Sequence, residues 1–421
     1  MGLKYLINDA GIFTDIAASL ADVGNNDVIL VSPWQTVYPS WKDFAAGVGL
    51  KGICKQDKHG NPLLFWEWVE WADCIANFDV GNNDQIGFLR KMFPEKSIWG
   101  SGRGERIEND RIFLKKLIEA LGLDQVPHKI IKGITSLREH IKKNPDKYIK
   151  INVFRGDMES FHAESEEDNY ADFLKLELTL GPSAEETLFI VEDMIDAKAE
   201  VGYDGFFNGQ DYADKCFCGI EYAKNLYIAK VMDYEDLPEP IFDTMEALAP
   251  ALSKVDYRGA ISTEERIVST KEHYLIDVCS RLPSPLSALY PTFIKNWPEF
   301  VYQTGLKKSC PLEIDVKYVG AFALTSIRGK TEYLPIKVKE SDRDKIKFQS
   351  VMMRDGKYYG VKGNEIIATL VAGGDSKEEV IEKLKEYAGL VSAPGLDNDA
   401  VNGIDNILKT FDKLAELNII I

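Results

Sequence analysis

Short apolar runs alternate with amphipathic segments over the first hundred residues. The runs LKYLIN, DVILVSP, CIANFDV and KSIWG are typical of buried strands, whereas IFTDIAASLADV and QIGFLRKMF have apolar residues at helical spacing. Strands that alternate with helices predict a doubly wound unit built on a parallel sheet. Ligands of such sheets bind beyond the carboxyl ends of the strands, here near residues 8–11, 32–34 and 79–83.

The middle of the chain is predicted to contain longer helices and paired strands. An amphipathic helix covers residues 109–121 and ends at Gly122, a second helix covers 136–143, and the strand KYIKINV follows. Residues 155–169 are polar and acidic, which predicts a long mobile loop. We expect TLFIVEDMI and AEVGYDGFF to be strands joined by a tight turn, and RGAISTEERIV with HYLIDVC to form a hairpin.

The last hundred residues are predicted to combine strands with two helices. IDVKYVGAFAL, YLPIKV, KFQSVMM and YYGVK have the composition of strands. Ser376 and Glu379 form the capping-box pattern that opens the helix VIEKLKEYAGLV. The final helix must pack on another element because it carries an apolar stripe, which consists of Ile404, Ile407, Leu408, Phe411, Leu414 and Leu417.

Composition narrows the class of protein. The chain has 421 residues, of which 45% are hydrophobic and 28% charged, which excludes a largely disordered protein. Its formal net charge of −17 argues against a nucleic-acid surface. The sequence has no apolar run of membrane-spanning length, and we expect no signal peptide. Six scattered cysteines are too few for a disulfide scaffold, so the expected location is the reducing cytoplasm.

Familiar short motifs give only weak signals. The sequence contains no G-x-S-x-G elbow and no G-x-x-x-x-G-K-[ST] loop, and SGRGER lacks the third glycine of a dinucleotide fingerprint. Cys216 and Cys218 could bind a metal, but buried free cysteines are the favoured interpretation because no partner pair or histidine is near. The five histidines are scattered and predict no metal cluster.

A series of single charged residues indicates the function more clearly than the short motifs do. Two lysines are followed by an acidic cluster and then by carboxylates and arginines on the predicted hairpin: Lys115, Lys150, Glu192, Asp193, Glu200, Glu264, Arg266, Asp277 and Arg281. Nucleoside triphosphates need this combination, because cations hold the α- and β-phosphates and carboxylates hold the bridging Mg²⁺. The alternative for Lys115 and Glu264 is a solvated surface charge, whereas Lys150 and Asp277 interrupt apolar strands and would be costly to bury unpaired.

In order and local sequence, these segments resemble the ATP-grasp superfamily and, within it, the phosphoribosylamine–glycine ligases (glycinamide ribonucleotide synthetases). The resemblance covers nearly the whole chain, including YYGVKGNEIIATLVAGGDSKEEVIEKLKEY near its end. It implies an α/β protein, α+β overall, with ATP-grasp architecture. The implied domains are an N-terminal doubly wound parallel-sheet domain (1–108), a two-lobed ATP-grasp domain (109–310, lobes about 109–190 and 191–310) and a C-terminal α+β domain (311–421).

The resemblance also implies which residues bind ATP. IENDRIFLKKLIEALGL is similar to the helix that places a lysine on the α-phosphate, here Lys115, with Arg111 one turn earlier. YIKINVF is similar to the strand with the second nucleotide lysine, which would be Lys150, with Lys147 as a substitute.

FIVEDMIDAKAE is similar to the strand along the adenine. Glu192 would then lie by the adenine amino group, and the backbone of Asp193, Met194 and Ile195 would bind the base edge. Glu200 would accept hydrogen bonds from the ribose hydroxyls.

The hairpin is similar to the family's metal-binding hairpin, whose second strand reads acidic-x-Asn-x-Arg. Asp277 and Glu264 would bind Mg²⁺, with Glu265 replacing Glu264 after a one-residue slip in register. Arg266 and Arg281 would act on the transferring phosphoryl group as catalytic residues. Cys279 stands at the asparagine position.

Two further segments depart from the family pattern. The acidic NVFRGDMESFHAESEED replaces the glycine-rich phosphate loop, and NDAGIFTD replaces the N-terminal glycine-rich turn.

The implied function is an ATP-dependent carboxylate–amine ligase that forms an acyl phosphate and releases ADP and phosphate. The cofactors are ATP and Mg²⁺, with Mn²⁺ as an alternative. The partners are a small carboxylate and a small amine, whose identities stay open, and neither nucleic acid nor membrane; the expected state is a monomer or homodimer. The alternatives are a non-catalytic nucleotide-binding protein on the same fold, and an ATP-grasp phosphotransferase or an unrelated α/β enzyme.

Overall fold

The computed structural model describes residues 2–9, 12–23, 25–31, 65–153, 159–222, 224–269, 271–284, 286–349 and 351–421. The chain forms two compact units. The larger unit comprises Met1–Gly104, Val201–Ser262 and Cys279–Ile421, and the smaller unit comprises Glu105–Glu200 and Thr263–Val278. The division into domains 1–108, 109–310 and 311–421 stays a prediction. Of the residues predicted to bind ligands, 10–11 and 32–34 lie outside the described part. No helix of the described chain is long and apolar enough to cross a membrane.

A four-stranded parallel sheet forms the N-terminal part of the larger unit, as predicted. Its elements are β1 (Lys4–Asn8), α1 (Thr14–Asp22), β2 (Asp27–Val31), β3 (Cys74–Asn77), α2 (Asn83–Met92) and β4 (Ser97–Trp99), with strand order β2-β1-β3-β4. Alternate residues of β1 enter separate apolar clusters on the two faces. Tyr5 and Ile7 pack with residues of α1, whereas Leu6 packs with residues of α2. The runs are apolar throughout because both faces are covered.

The smaller unit is built on an antiparallel sheet of strand order β5-β8-β6-β7. Its elements are α3 (Arg106–Asn109), α4 (Arg111–Ala120), β5 (His128–Lys132), α5 (Ile134–Lys143), β6 (Lys147–Ile151), β7 (Ser160–Ala163), α6 (Tyr170–Leu180) and β8 (Leu188–Asp193). Ile149 and Val191 enter the core that this sheet forms with α5 and α6. Tyr148, Lys150 and Glu192 are therefore on the opposite face of the sheet, since side chains alternate along strands.

Two predictions for this unit need correction. TLFIVEDMI and AEVGYDGFF do form strands, but they are not a hairpin, because β8 pairs with β5 and β6. The predicted loop at 155–169 contains the strand β7, which pairs with β6 from Lys150↔Ser160 to Lys147↔Ala163. Residues 154–158 lie outside the described part. Strand β7 has only four residues, of which Phe161 and Ala163 face the core, and two apolar positions within an otherwise polar, acidic segment are too few to predict a strand.

The next elements run from β9 to β13, and both β9 and β12 have residues in each unit. They are β9 (Ala199–Phe207), β10 (Lys215–Tyr222), β11 (Leu226–Asp233), α7 (Glu239–Lys254), β12 (Gly259–Ser269) and β13 (Glu272–Cys279). Strands β12 and β13 are neighbours, with two residues between them, which confirms the predicted hairpin.

The remaining elements complete the larger unit. They are α8 (Leu289–Phe293), α9 (Trp297–Gly305), β14 (Tyr318–Thr325), β15 (Leu334–Ile336), β16 (Ile346–Lys347), β17 (Val351–Arg354), β18 (Lys357–Gly360), β19 (Ile366–Gly374), α10 (Lys377–Ala388), α11 (Asn398–Asn402) and α12 (Asn406–Glu416). The large sheet has the order β13-β12-β9-β10-β11-β14-β19-β16, and a small sheet has the order β15-β18-β17. KFQSVMM thus contributes to two sheets, and β19 was not predicted.

Both predicted C-terminal helices are present. The Ser376 side chain accepts a hydrogen bond from the Glu379 N–H at 3.2 Å, which caps α10 as the sequence pattern indicates. In a capping box the Glu379 side chain would accept from the Ser376 N–H. Here it accepts from the N–H of Asp375, one residue earlier in the chain. Ile407, Phe411 and Leu414 of α12 are buried.

Candidate functional site

Helix α4 brings two cationic side chains to the uncovered face of the smaller unit's sheet. The Asp110 Oδ1 accepts a hydrogen bond from the Phe113 N–H at 3.0 Å and so caps the helix. With the start of the helix fixed, Arg111 and Lys115 lie on one face because they are four residues apart. Lys115 is only 5% exposed, so it is not part of a solvated helix face.

Lys115, Glu192 and Lys150 form a buried charge cluster. Lys115 Nζ lies 2.5 Å from Glu192 Oε1, and Lys150 Nζ lies 3.1 Å from Glu192 Oε2. Lys150 also donates to the main-chain oxygen of Ile276 at 3.0 Å, which ties β6 to the hairpin. Lys147, the alternative nucleotide lysine, instead contacts Asp193 at 3.1 Å. The structure therefore brings together three residues that the sequence predicted for one site.

Burial and charge act in opposite directions within this cluster. Burial alone would raise the pKa of Glu192, but the charges and hydrogen bonds of Lys150 and Lys115 outweigh it and hold that pKa below its usual value. Burial lowers the pKa of Lys115, and the nearby Glu192 carboxylate offsets part of this effect. Glu192 is thus held ionised between two cations.

Arg111 also belongs to this site. The sequence analysis placed it one turn before Lys115 but assigned it no role. Its Nη1 donates to the main-chain oxygen of Ile151 at 2.8 Å. Its Nη2 lies 3.6 Å from Glu159 and 3.9 Å from Asp277. The available signal was its position four residues, about one turn, before Lys115, which places both cations on the same helix face.

The carboxylates of β12 point to opposite faces of the hairpin. Glu265 is fully buried, and its Oε2 lies 2.9 Å from His273 Nδ1 across the hairpin. Glu264 is exposed. Because residues two apart share a face of a strand, Glu264 lies on the face that carries Arg266.

Arg266 connects the hairpin to β6 and β9. Its Nε lies 3.2 Å from Glu200 Oε2, and its guanidinium lies 5.1 Å from the centre of the Tyr148 ring. Burial would lower the pKa of Arg266, but Tyr148 and Glu200 raise it above its usual value. Glu200 therefore has a cationic partner within the smaller unit. Tyr148 was missed by sequence reasoning, although it is two residues before Lys150 and so on the same face.

Asp277 is the best-placed candidate for binding a cation. Its side chain is 31% exposed, Oδ1 accepts from the Val278 N–H at 2.9 Å, and Oδ2 lies 3.9 Å from Arg111. Among the described residues, no three His, Cys, Asp or Glu side chains come together as a metal cage. Two carboxylates suffice for Mg²⁺, which keeps several waters and binds substrate phosphates. The hard oxygen donors of Asp277 and Glu264 therefore fit this ion chemically, and their role as its ligands stays a prediction.

The segment predicted to line the adenine leaves the end of β8. The Asp193 N–H donates to the main-chain oxygen of Pro127 at 2.9 Å, so this donor is already engaged. Met194 and Ile195 follow in the connection to β9 and are exposed and half-buried, respectively.

Arg281 belongs to the larger unit, beside the parallel sheet. Its Nε lies 3.6 Å from Asp79 Oδ1, just beyond the carboxyl end of β3, and its Nη1 donates to the main-chain oxygen of Leu282 at 3.2 Å. The Cys279 thiol donates to the main-chain oxygen of Arg281. These contacts place the predicted catalytic arginine at the edge where a doubly wound sheet binds ligands.

Comparison with solved structures identifies the fold. The phosphoribosylamine–glycine ligase of Thermotoga maritima superposes with a TM-score of 0.65 at 17% identity, over 93% of this chain and 98% of that chain. The biotin carboxylase domain of Hydrogenobacter thermophilus 2-oxoglutarate carboxylase, solved with MgADP, ADP and bicarbonate, gives 0.66 at 12% identity, over 99% and 98%.

A third likeness is to the N5-carboxyaminoimidazole ribonucleotide synthetase of Thermotoga maritima, with a TM-score of 0.60 at 14% identity, over 93% of this chain and 99% of that chain. The sequence matches no protein-family model and no curated protein. The chain has the ATP-grasp fold, which confirms the predicted fold class.

Proposed function

We propose that this protein is an ATP-dependent carboxylate–amine ligase similar to phosphoribosylamine–glycine ligase, which works through an acyl phosphate and releases ADP and phosphate. The observation that carries the proposal is the buried cluster in which Glu192 lies within 3.1 Å of both Lys115 and Lys150. A site that holds two ammonium groups out of water suits a polyanion such as a nucleotide triphosphate. The ATP-grasp fold supports ligase chemistry at this place.

The roles of the cations follow from their positions. Lys115 and Lys150 would hold the α- and β-phosphates, and Arg111 would add a third positive charge beside Asp277. Arg266 and Arg281 would stabilise the charge of the transferring phosphoryl group. Most of the rate enhancement would come from positioning and electrostatic stabilisation, because phosphoryl transfer needs little covalent help from the protein.

Asp277 and Glu264 would hold Mg²⁺, with Mn²⁺ as an alternative. When bound, the ion neutralises charge on the β- and γ-phosphates. The protein's own contribution is to fix Asp277, whose Oδ1 is held by the Val278 N–H while its Oδ2 faces the site near Arg111.

The nucleoside would lie along the end of β8. Met194 and Ile195 would offer main-chain groups to the base edge, and Asp193 would contribute its carbonyl because its N–H is engaged. Glu192 would accept from the adenine amino group, and Glu200 from the ribose hydroxyls. Glu192 would have to accept from the adenine while it still pairs with Lys115 and Lys150. Glu200 would have to accept from the ribose while it still pairs with Arg266.

The experiment that tests the function measures phosphate release from ATP by the purified chain against panels of amino acids and small amines. A ligase releases phosphate only when a carboxylate and an amine are both present. Lys150→Met should abolish this release, whereas Lys116→Met, which changes an exposed lysine of α4, should retain it. A protein that gains thermal stability with ATP and Mg²⁺ but releases no phosphate with any pair would be a nucleotide-binding protein instead.

A further inference from the structure

An aromatic ring lies beside the buried charge cluster of the smaller unit. Tyr148 precedes Lys150 by two residues on β6, so both side chains are on the same face of the sheet. Its register partner on β8 is Glu192, the central carboxylate of the cluster. Residues directly opposite one another on paired strands share a face, so Tyr148 also adjoins Glu192. The ring therefore borders the proposed nucleotide site.

The Tyr148 ring is held from the other neighbouring strand. His162 of β7 is its register partner there, and the two ring centres are 5.3 Å apart with 36° between the ring planes. The His162 Nε2 lies 2.7 Å from Asp146 Oδ1, which fixes the imidazole in turn. Cross-strand aromatic pairs at this distance attract one another. Tyr148 thus has a defined orientation on the face that it shares with Lys150.

Arg266 of β12 contacts this ring and also reaches Glu200. Its guanidinium carbon lies 5.1 Å from the centre of the Tyr148 ring, and its Nε donates to Glu200 Oε2 at 3.2 Å. The Arg266 side chain is 23% exposed, so the cation–π contact is partly shielded from water and stronger than one on an open surface. Because a guanidinium is planar, a ring that fixes this plane also fixes the direction of the Nε–H.

Glu200 needs such support because its own surroundings leave it free to turn. Its side chain is 39% exposed, and a glutamate in this position loses rotamer entropy when a ligand orders it. Arg266 engages Oε2, and a carboxylate accepts about four hydrogen bonds, so this ion pair leaves Glu200 able to accept from a ligand. The contact uses Arg266 Nε, and the Nη donors suit the phosphoryl role proposed above.

We propose that Tyr148 is a positioning residue for the nucleoside, which acts through Arg266 to hold Glu200 toward the ribose hydroxyls. Tyr148 thereby sets the preference of the protein for a ribonucleotide over a 2′-deoxyribonucleotide. The proposal rests on the function proposed above, since the contact of Glu200 with the ribose belongs to it. It adds a specificity-determining residue that does not itself touch the sugar.

The test titrates ADP and 2′-deoxyADP calorimetrically into the full chain in the presence of Mg²⁺. We expect the wild type to bind ADP about tenfold more tightly, because a hydroxyl that donates to a carboxylate contributes about this factor. Tyr148→Leu should lower the ratio of the two affinities to about threefold or less and leave the affinity for 2′-deoxyADP unchanged. A merely structural role would weaken both nucleotides equally.

Three variants test the route from the ring to the carboxylate. Tyr148→Phe keeps the ring and should retain the wild-type ratio, whereas Arg266→Met should lower the ratio as Tyr148→Leu does. In a Glu200→Ala background, Tyr148→Leu should change the ratio no further, because both substitutions act through one carboxylate.

Tyr170→Leu is the matched control. The Tyr170 ring also lies 5.1 Å from a guanidinium carbon, that of Arg138, but it belongs to α6, which packs on the opposite face of the sheet. This variant should bind both nucleotides as the wild type does.

The outcomes separate this proposal from the proposed function. If the wild type binds ADP but does not prefer it to 2′-deoxyADP, the positioning role is overturned while nucleotide binding stands. The same holds if Tyr148→Leu weakens both nucleotides equally, or if Tyr148→Phe loses the preference. If the wild type binds neither nucleotide, the proposed ligase function itself fails.

Discussion

Glu192 and Lys115 form a buried ion pair, with Oε1 and Nζ 2.5 Å apart. The Glu192 side chain is 5% exposed and the Lys115 side chain 6%. Desolvating two charges is costly, and their mutual attraction repays this cost only while both are present. Lys150 adds a second ammonium to the same carboxylate. Within this trio one positive charge is left uncompensated, which favours an anionic ligand.

Replacing the central carboxylate should destabilise the smaller unit. Glu192→Gln leaves two buried ammonium groups without a counter-charge, and we expect it to lower the free energy of unfolding by about 3–5 kcal/mol. Urea unfolding followed by circular dichroism measures this change. Glu186→Gln is the matched control, because Glu186 is 75% exposed in its pair with Lys132 and should cost under about 1 kcal/mol.

The same variant tests whether phosphates occupy this cluster. Nucleotide phosphates would supply the negative charge that Glu192→Gln lacks. We therefore expect MgADP to raise the melting temperature of Glu192→Gln more than that of the wild type. Equal shifts in the two proteins would mean that the phosphates bind elsewhere.

The cluster lysines should dominate nucleotide affinity. Lys150→Met removes a charge-assisted contact in a desolvated site, and we expect it to weaken ATP binding by about 2–4 kcal/mol. Lys115→Met should act similarly, whereas the exposed neighbour Lys116→Met should leave affinity unchanged. Calorimetric titration with ATP and Mg²⁺ distinguishes them. Wild-type affinity in Lys150→Met would contradict the assignment.

Much of this architecture was predictable because buried positions are occupied by apolar residues, whose spacing along the sequence differs between helices and strands. The strands of the N-terminal sheet are apolar runs, since helices cover both faces. Helix α4 ends two residues before Gly122, which adopts the left-handed φ of +74°. Lys150 stood out because a charge inside an apolar strand needs a partner. The structure supplies that partner as Glu192.

Other features could not be predicted, because they do not depend on the spacing of apolar residues. Strand β7 is short and half-polar, so its pairing with β6 is a tertiary effect. The partners of β8 are set by which strands meet in space, not by the turn that follows it. The side-chain amide of Asn8, at the end of β1, donates to the amide oxygens of Asn77, Asn82 and Gln85, which are up to 77 positions away in the sequence. Neutral amides carry no periodic signal, and only the topology of the parallel sheet brings them together.

The larger unit should lose stability as the pH rises through about 6. Asp204 is buried, and burial raises its pKa to about 6, although Tyr227, Ser262 and Tyr290 donate hydrogen bonds that lower it. The raised pKa means that the folded state holds a proton that the unfolded state releases near pH 4. The stabilisation is therefore complete below pH 4 and lost above pH 6.

The comparison that isolates this group is wild type against Asp204→Asn at several pH values. The free-energy advantage of the wild type should fall by roughly 3 kcal/mol between pH 4 and pH 7. The Tyr290 hydroxyl lies 3.4 Å from Asp204 Oδ1, and the Tyr227 hydroxyl donates to Oδ2, so asparagine keeps one acceptor in place. A difference that stays constant over this range would show that Asp204 does not titrate there.

Asp277 offers the sharpest test of the proposal that the β12–β13 hairpin binds a metal ion. Asp277→Asn keeps the size of the side chain and the hydrogen bond from the Val278 N–H, but removes the charge that a divalent cation needs. We expect phosphate release to fall below detection and ATP affinity to lose most of its dependence on Mg²⁺ concentration. Glu272→Gln, an exposed carboxylate on the same hairpin, should change neither quantity.

The contacts of Arg111 predict that Asp277→Asn remains folded, so a loss of activity in this variant can be attributed to the missing charge. Arg111 lies 3.9 Å from Asp277 and keeps Glu159 at 3.6 Å as its other acidic neighbour, so the loss of one carboxylate does not strand a buried guanidinium. Asp277→Asn should therefore remain folded, and its melting temperature should stay within a few degrees of the wild type. Because cations without Mg²⁺ still attract phosphates, ATP should bind this variant in EDTA as tightly as it binds the wild type in EDTA. If Asp277→Asn instead retains wild-type phosphate release with both substrates present, the hairpin carboxylate is structural and the metal is held by other residues.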